Sequence, residues 1–136
     1  MSKKTFVIFG LLVIFLAVLI PWLAFRSDGD AARGAQEIPS GLKEGQDLFQ
    51  TNCGNCHTLY AAGTDGNFAP DLDELLSPSG PPEDEATIKQ TKKRVLNAVE
   101  NGVDSTTTAG RMPPGILSGE QAEEVAEFVA TTAGEG

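Results

Sequence analysis

Basic side chains are scarce in this sequence. Its 136 residues include 10 Lys and Arg against 19 Asp and Glu, which gives a formal net charge of −9. A protein that binds nucleic acid needs a basic face that neutralises phosphates, so this composition argues against a nucleic-acid partner. An acidic surface instead favours solubility and attracts basic partners.

Charge of either sign is missing from one long stretch near the N-terminus. Residues 6–25 read FVIFGLLVIFLAVLIPWLAF. Twenty helical residues span about 30 Å, the thickness of the hydrocarbon layer of a bilayer. A cleaved signal peptide usually has an apolar region of only about 7–15 residues and a small-x-small cleavage site, and the residues FRSD that follow make a poor site. We therefore predict that residues 1–26 form a transmembrane helix that is retained as a membrane anchor.

The charges that flank this helix predict its orientation. Lys3 and Lys4 precede the apolar run and, with the terminal amine, outweigh Arg26 on the far side. Because basic flanks stay in the cytoplasm, we expect a single span of the cytoplasmic membrane with a cytoplasmic N-terminus. Everything after Arg26 is then on the extracytoplasmic (periplasmic) side. Residues 27–40 are rich in Gly, Ala, Ser and Asp, which predicts a flexible linker with a reach of about 20 Å.

The remaining residues, 41–136, are predicted to form one small domain. Helical periodicity occurs in three segments, 41–52, 84–101 and 118–132. The last of them begins with a capping-box pattern at Ser118. No segment alternates in the manner of a strand. The prediction is an all-α domain with long loops, which is unusual unless another group fills the space between the helices.

Cysteine and histidine are rare, and all of them lie together in NCGNCHTLY, as Cys53, Cys56 and His57. A structural zinc site usually takes four such ligands. A thioredoxin-like pair should follow a buried strand, and a plain disulfide leaves His57 without a role. C-x-x-C-H is also the attachment signature of c-type haem. We predict that Cys53 and Cys56 form thioethers to one haem c and that His57 ligates its iron.

The second axial ligand of such an iron follows by elimination. The chain has no second histidine, and Met1 is the initiator, which leaves Met112 in the stretch GRMPPG. Core packing is the commonest role of a methionine. Met112, however, lies in a Gly/Pro-rich loop rather than on a helical stripe. Because Met and His are a usual axial pair in cytochromes c, Met112 is the predicted ligand.

Residues 41–133 resemble the class I monohaem cytochromes c, here in a membrane-anchored form. The matching motifs are CGNCH at 53–57, APDL at 69–72 and RMPP at 111–114, followed by the terminal helix. The resemblance implies a small helical domain built around one covalent haem. It also implies that the carbonyl of Pro70 accepts the Nδ1–H of His57 and fixes the orientation of the ring.

The same resemblance has two further implications for the domain. The first and last helices of the family cross where a glycine meets aromatic residues, a contact that Gly45, Phe49 and Phe128 resemble. The family often has glycine before the loop proline, where this chain has Ala69, so the local turn departs from the family pattern.

Axial ligation by Met112 and His57 predicts the function. An iron with both axial positions filled has no place for oxygen or peroxide, which favours electron transfer over catalysis and implies no small-molecule substrate. We expect a membrane-tethered carrier of single electrons in a respiratory or photosynthetic chain, for example between a quinol–cytochrome c reductase and a terminal oxidase. The alternative is a fixed cytochrome subunit of a larger membrane complex. A haem-based sensor or peroxidase with a dissociable Met112 is a third possibility.

Overall fold

The computed structural model describes residues 3–26, 38–104 and 111–136. The chain divides into two units, with the boundary between Ala31 and Ala32. Most of the predicted linker, residues 27–37, lies outside the described residues. The last part of the predicted linker is described: Ile38 packs against the core of the second unit, and a 3₁₀ turn begins at Ser40.

The first unit contains one helix, α1 (Lys3–Arg26), with Pro21 inside it. Most of the large apolar side chains described for this helix are exposed, for example Ile8 at 66% and Trp22 at 53%. Across the described residues, no helix has the length and apolar character needed to cross a membrane. The predicted transmembrane helix is therefore not supported by this structure.

The second unit is mostly helical, as predicted. Its elements in chain order are α2 (Lys43–Asn52), β1 (Thr58–Leu59), β2 (Thr64–Asp65), α3 (Leu72–Leu76), α4 (Glu85–Asn101) and α5 (Glu120–Thr132). The strands form a two-stranded antiparallel hairpin in which Thr58 pairs with Asp65 and Leu59 with Thr64. The hairpin and α3 were not predicted, because strands of two residues and a helix of five are too short to show a hydrophobic period.

The two longer helices begin in different ways. At α4, the carboxylate of Asp84 accepts the N–H of Thr87 at 2.8 Å, which is the usual N-cap arrangement. At α5, the predicted capping box is wrong. The N-cap is Gly119 with φ +58°, and no side chain caps the helix. This left-handed backbone favours glycine and shifts the helix start beyond Ser118.

The core of the second unit is centred on the crossing of α2 and α5. A Cβ on Gly45 would overlap the carbonyl oxygen of Glu124 and lie 2.7 Å from the Cβ of Phe128, so only glycine lets the two helices approach this closely. The rings of Phe49 and Phe128 meet with centroids 6.2 Å apart at 60°. Both side chains are buried, and burial of each stabilises the fold by about 1.5–3 kcal/mol. This is the contact that the family resemblance implies.

Helix α4 packs against the other side of α5. Val99 is buried there, and Val95 and Leu96 are partly buried against the same core. An ion pair between Lys92 and Glu127, 2.9 Å long and partly exposed, joins the rims of the two helices. Helices α2, α4 and α5 thus form the core of the second unit. The segments between them carry the candidate site and pack against this core.

Candidate functional site

The C-x-x-C-H segment forms a tight turn at the end of α2. The N–H of Cys53 donates to the carbonyl of Phe49 at 2.8 Å and so continues the helical pattern. The N–H groups of Cys56 and His57 both donate to the carbonyl of Cys53, at 3.0 and 2.9 Å. One turn therefore carries both thiols, and the imidazole follows at once.

The two cysteines are free thiols in different surroundings. Cys53 is buried in the core, whereas Cys56 is exposed. Burial, with a smaller contribution from the charge of Cys56, raises the pKa of the Cys53 thiol from 9.0 to about 11, so this group is protonated at neutral pH. Within the described residues, no group of three or more His, Cys, Asp and Glu could hold a metal ion.

His57 is half-buried and its ring is held by a backbone carbonyl. Its Nδ1 lies 2.8 Å from the carbonyl oxygen of Pro70. The carbonyl can only accept, so Nδ1 carries the proton, and Nε2 has the lone pair that can bind a metal. This is the contact that the resemblance implies for Pro70.

The loop that carries Pro70 is packed directly against the turn. The N–H of Ala69 donates to the carbonyl of Cys56 at 2.9 Å, and the hydroxyl of Thr58 donates to the carbonyl of Gly66 at 3.0 Å. A Cβ on Gly66 would lie 2.6 Å from the carbonyl carbon of Cys56. Only glycine therefore lets the backbone of this loop pack so closely against the backbone of the turn. Ala69, where this chain departs from the family pattern, therefore contributes its backbone N–H to the contact between loop and turn.

Side chains from α2 and from the hairpin fix the residues that follow His57. Gln46 and Gln50, one turn apart on α2, donate their amides to the consecutive carbonyls of Ala61 and Ala62, each at 2.8 Å. Their spacing of four places both glutamines on one face of α2, and this sequence pattern could have indicated a shared contact.

The hydroxyl of Thr64 connects the hairpin to the histidine. It donates to the carbonyl of His57 at 3.0 Å and accepts the N–H of Leu59 at 3.1 Å. Leu59 is fully buried, so these backbone groups have no water to replace a lost partner.

Asp73 is a buried carboxylate that the sequence analysis missed. Its two oxygens accept the N–H of Tyr60 at 2.8 Å and the N–H of Gly134 at 2.7 Å. It therefore ties the chain after His57 to the residues after α5. Burial, and then the charge of Asp73, raise the pKa of the nearby Glu135 carboxyl above its usual range. In the sequence, Asp73 is recognisable only as an acidic residue in the first turn of α3. Acidic residues are common there because they interact favourably with the helix dipole, so its position does not indicate these contacts.

Met112 lies in a loop that folds back on the end of α4. Met112 and Val103 exchange two backbone hydrogen bonds, of 3.0 and 3.1 Å, in an isolated antiparallel bridge. Gly102 has φ +72°, and a Cβ there would lie 2.6 Å from the carbonyl oxygen of Met112. The Met112 side chain is partly buried and packs against the core cluster that also contains Cys53. Residues 105–110 lie outside the described residues.

Tyr60 and Arg111, which are close in the sequence to His57 and Met112, lie at the surface. Tyr60 is 42% exposed. Arg111, next to Met112, pairs through its Nε with the carboxylate of Asp104 at 2.7 Å, and both side chains are largely exposed. An exposed pair of this kind contributes at most about 1 kcal/mol to stability.

Comparison with known proteins identifies the second unit. Residues 42–133 match the cytochrome c family, which is more than half of the chain. The chain belongs to the cytochrome c family. A solved structure that is similar to this cytochrome is the c-type cytochrome SorU from Sinorhizobium meliloti. It shares 35% sequence identity, with a TM-score of 0.51, over 70% of this chain and 93% of that chain. No curated protein matches this cytochrome.

Membership of the family means that this cytochrome carries covalently bound haem c, as predicted, and the spacing of Cys53 and Cys56 is that of a C-x-x-C-H site. The donor set of the structure fits that group. It comprises two unbonded thiols on one turn, an imidazole whose Nε2 is available, and a thioether on the same core cluster. The role of each of these residues stays a prediction.

Proposed function

We propose that this cytochrome is a carrier of single electrons. Haem c supplies a reversible one-electron couple at its iron. In this proposal Cys53 and Cys56 would hold the haem through thioethers, and His57 and Met112 would be the two ligands that the protein supplies to its iron. The hydrogen bond from His57 Nδ1 to Pro70 is the observation that carries the proposal, because it fixes the tautomer in which Nε2 is a ligand.

The proposed ligands favour electron transfer over catalysis. With both axial positions filled, no coordination site is left for oxygen or peroxide. The thioether of Met112 is a soft donor that favours ferrous iron and raises the reduction potential.

Substitution of Met112 by alanine tests this assignment. Because axial ligands move haem potentials over about 0.8 V, we expect Met112→Ala to lower the potential by on the order of 0.1 V or more. The reduced variant should also bind carbon monoxide, which the parent should not. Ile116→Ala is the control, since Ile116 packs against the same core and cannot ligate iron. If Met112→Ala keeps the potential and the inertness of the parent, Met112 is not a ligand, and a role in core packing replaces it.

We also propose that residues 1–26 tether this cytochrome to the cytoplasmic membrane, with the haem domain on the periplasmic side. The support is the uncharged run of residues 6–25 and the exposed apolar side chains of α1. The test uses membranes of the native host. A tethered protein stays in the membrane fraction after an alkaline carbonate wash, is released by detergent, and retains residues 1–26 by intact mass. Release by carbonate, or a mass without these residues, would refute the tether.

The proposed role is electron transfer between membrane complexes of a respiratory or photosynthetic chain, such as a quinol–cytochrome c reductase and a terminal oxidase. A tether supports this role, because restricted diffusion raises the effective concentration of the carrier near its membrane partners. After mild detergent extraction a carrier should be isolated alone. Constant stoichiometric co-purification with other chains would instead establish the fixed-subunit alternative.

A further inference from the structure

Two segments of the chain, residues 56–60 and 69–73, run side by side at the candidate site. Three hydrogen bonds join residues whose numbers differ by 13, namely Cys56 with Ala69, His57 with Pro70, and Tyr60 with Asp73. The constant difference means that the two segments run in the same direction and in one register. The bond between the imidazole and the Pro70 carbonyl lies between the other two along both segments.

Asp73 makes the last of these bonds with its side chain, which is itself held in place. The side chain is 7% exposed. One oxygen accepts the N–H of Tyr60 at 2.8 Å, and the other accepts the N–H of Gly134 at 2.7 Å. The N–H of Asp73 donates in turn to the carboxylate of Asp71 at 2.9 Å. The carboxylate therefore has a fixed position relative to Pro70, three residues before it.

The backbone that follows α5 holds this carboxylate from the other side. Gly134 has φ +93°, and a Cβ there would lie 2.7 Å from the Cβ of Ser77, the residue after α3. A Cβ on Gly136 would lie 2.8 Å from the Cβ of Tyr60 and 3.3 Å from the Oδ2 of Asp73. Asp73 is thus fastened to the core through the residues after α5, and Tyr60 is fastened to Asp73.

We propose that Asp73 is a positioning residue for the His57 ligand. Its carboxylate holds residues 57–60 in register with Pro70 and so keeps the Nδ1–H of His57 on the Pro70 carbonyl. This inference rests on the proposed ligation of iron by His57. A carboxylate suits the role, because it can accept two N–H groups at once and because bonds to an ionised acceptor are roughly twice as strong as neutral ones.

Loss of Asp73 should loosen one end of this arrangement. The bond of Ala69 to Cys56 would still hold the loop before Pro70, whereas Tyr60 would no longer be tied to the residues after it. The bond between His57 and Pro70 would then open more often, and each opening exposes the Nδ1 proton to solvent.

The test follows hydrogen exchange by NMR in the full-length, haem-containing protein. In the ferric state, the paramagnetic iron shifts the Nδ1 proton of His57 away from other signals if His57 ligates it, so its exchange with deuterium can be followed singly. Asp73→Asn keeps the shape of the side chain but leaves one acceptor oxygen instead of two. We expect the Nδ1 proton to exchange about tenfold faster in this variant, relative to the helical N–H groups of α4 and α5.

Glu74→Gln is the matched control. It removes the same charge from the next residue of α3, where the side chain is exposed, and should leave the exchange of the Nδ1 proton unchanged. A second measurement needs no variant. If Asp73 holds the register, the Nδ1 proton of His57 in the parent should exchange no faster than the N–H of Tyr60, after correction for the intrinsic rate of each group.

Each contrary outcome has its own meaning. An unchanged Nδ1 exchange rate in Asp73→Asn overturns the positioning role. Equal acceleration of the Nδ1 proton and the helical N–H groups also overturns it, since only overall stability would then be lost. If Asp73→Asn yields no haem-bearing protein, the parent decides, and an Nδ1 proton that exchanges faster than the N–H of Tyr60 overturns the proposal. A parent without an iron-shifted Nδ1 proton would instead refute ligation by His57 and the function proposed above.

Discussion

Two segments of this cytochrome carry the candidate iron ligands, and the protein holds them in different ways. The histidine segment, residues 53–70, is tied by side chains as well as backbone, with bonds from Gln46, Gln50, Thr58 and Thr64. In the methionine segment, residues 102–104 and 111–115, Met112 is bonded to Val103 through backbone, and the N–H of Gly115 is shared between the carbonyls of Val99 and Glu100, at 3.1 Å each.

This difference indicates an order of stability. The His57 ring is held by Pro70, and the loop that carries Pro70 is bonded in turn to the residues around His57. The described part of the methionine segment is joined to the end of α4 by backbone bonds, and its ion pair, Arg111 with Asp104, is exposed. Local opening starts where such bonds are few. We therefore expect heat or denaturant to remove Met112 from the iron before His57, and the variants below should strengthen or abolish that order.

The largest effect is expected from Gly66→Ala, which acts on the histidine segment. Its Cβ would lie 2.6 Å from the carbonyl carbon of Cys56 and from the carbonyl oxygen of Gly54. The loop must then move away from the turn, which also moves Pro70 away from His57. We expect this to lower the free energy of unfolding by about 1–3 kcal/mol. We expect most of the haem-bearing protein to be lost, measured as haem absorbance per protein. Gly41→Ala, where nothing lies within 4 Å, is the control and should mature normally.

A smaller and more selective effect is expected from Gly102→Ala in the methionine segment. Alanine at φ +72° costs about 1 kcal/mol or more, and the Cβ would also lie 2.6 Å from the carbonyl oxygen of Met112 and 2.8 Å from the nitrogen of Pro114. The haem should stay attached, while the far-red absorption band of ferric methionine-ligated haem weakens.

Gly115→Ala is the matched control for that variant. Gly115 has φ +69° in the same loop, but no atom lies within 4 Å of the added Cβ. Its φ is nearly the same as that of Gly102, so the variant also places alanine at positive φ, but its far-red band should be retained. Equal loss of the band in both variants would show that strain alone, rather than contact with Met112, is responsible.

Thr64→Val should have a moderate effect on stability. The substitution keeps the shape but removes the hydroxyl that joins the carbonyl of His57 to the N–H of Leu59. Leaving such groups without a partner costs about 1–3 kcal/mol, measurable as a lower free energy of unfolding. Thr51→Val removes an exposed hydroxyl on α2 and should cost less than about 0.5 kcal/mol. Similar losses in the two variants would contradict the special role of Thr64.

The smallest effect is expected from Glu135→Gln, and it depends on pH. Burial and Asp73 raise the pKa of Glu135 above its ordinary value of 4.5. The folded state then binds this proton more tightly than the unfolded state, so the parent loses stability as pH rises from 4.5 through the raised value. The variant lacks this loss. It should be more stable than the parent at pH 7 and about equal at pH 4, whereas an equal difference at both values would exclude this linkage.

The parts of the fold that were predictable are those with a hydrophobic period. Helices α4 and α5 repeat their apolar residues over three turns or more, and the start and end of α4 carry Asp84 and Gly102. The C-x-x-C-H motif predicted the haem because attachment requires that spacing. Contacts between residues that are far apart in the sequence produce no such local pattern. Asp73 meets Gly134 across 61 residues, and nothing local to either residue indicates the pairing.

The boundary of α5 shows why a local pattern can fail. Ser118 with a glutamine three residues later has the composition of a capping box. Gly119 between them adopts a left-handed conformation and becomes the N-cap itself. A glycine can take either of two backbone conformations at little cost, so the pattern around it does not decide where the helix begins.

The crossing of α2 with α5 has a consequence for biosynthesis. Helix α2, which precedes Cys53 and Cys56, packs closely against α5, residues 120–132, far from it in the sequence. A growing polypeptide therefore cannot complete this part of its core until α5 has been synthesised, because contacts between distant residues form late. Throughout that interval we expect the cysteine pair to remain open to the machinery that joins porphyrin to protein, and the last helix to seal the product afterwards.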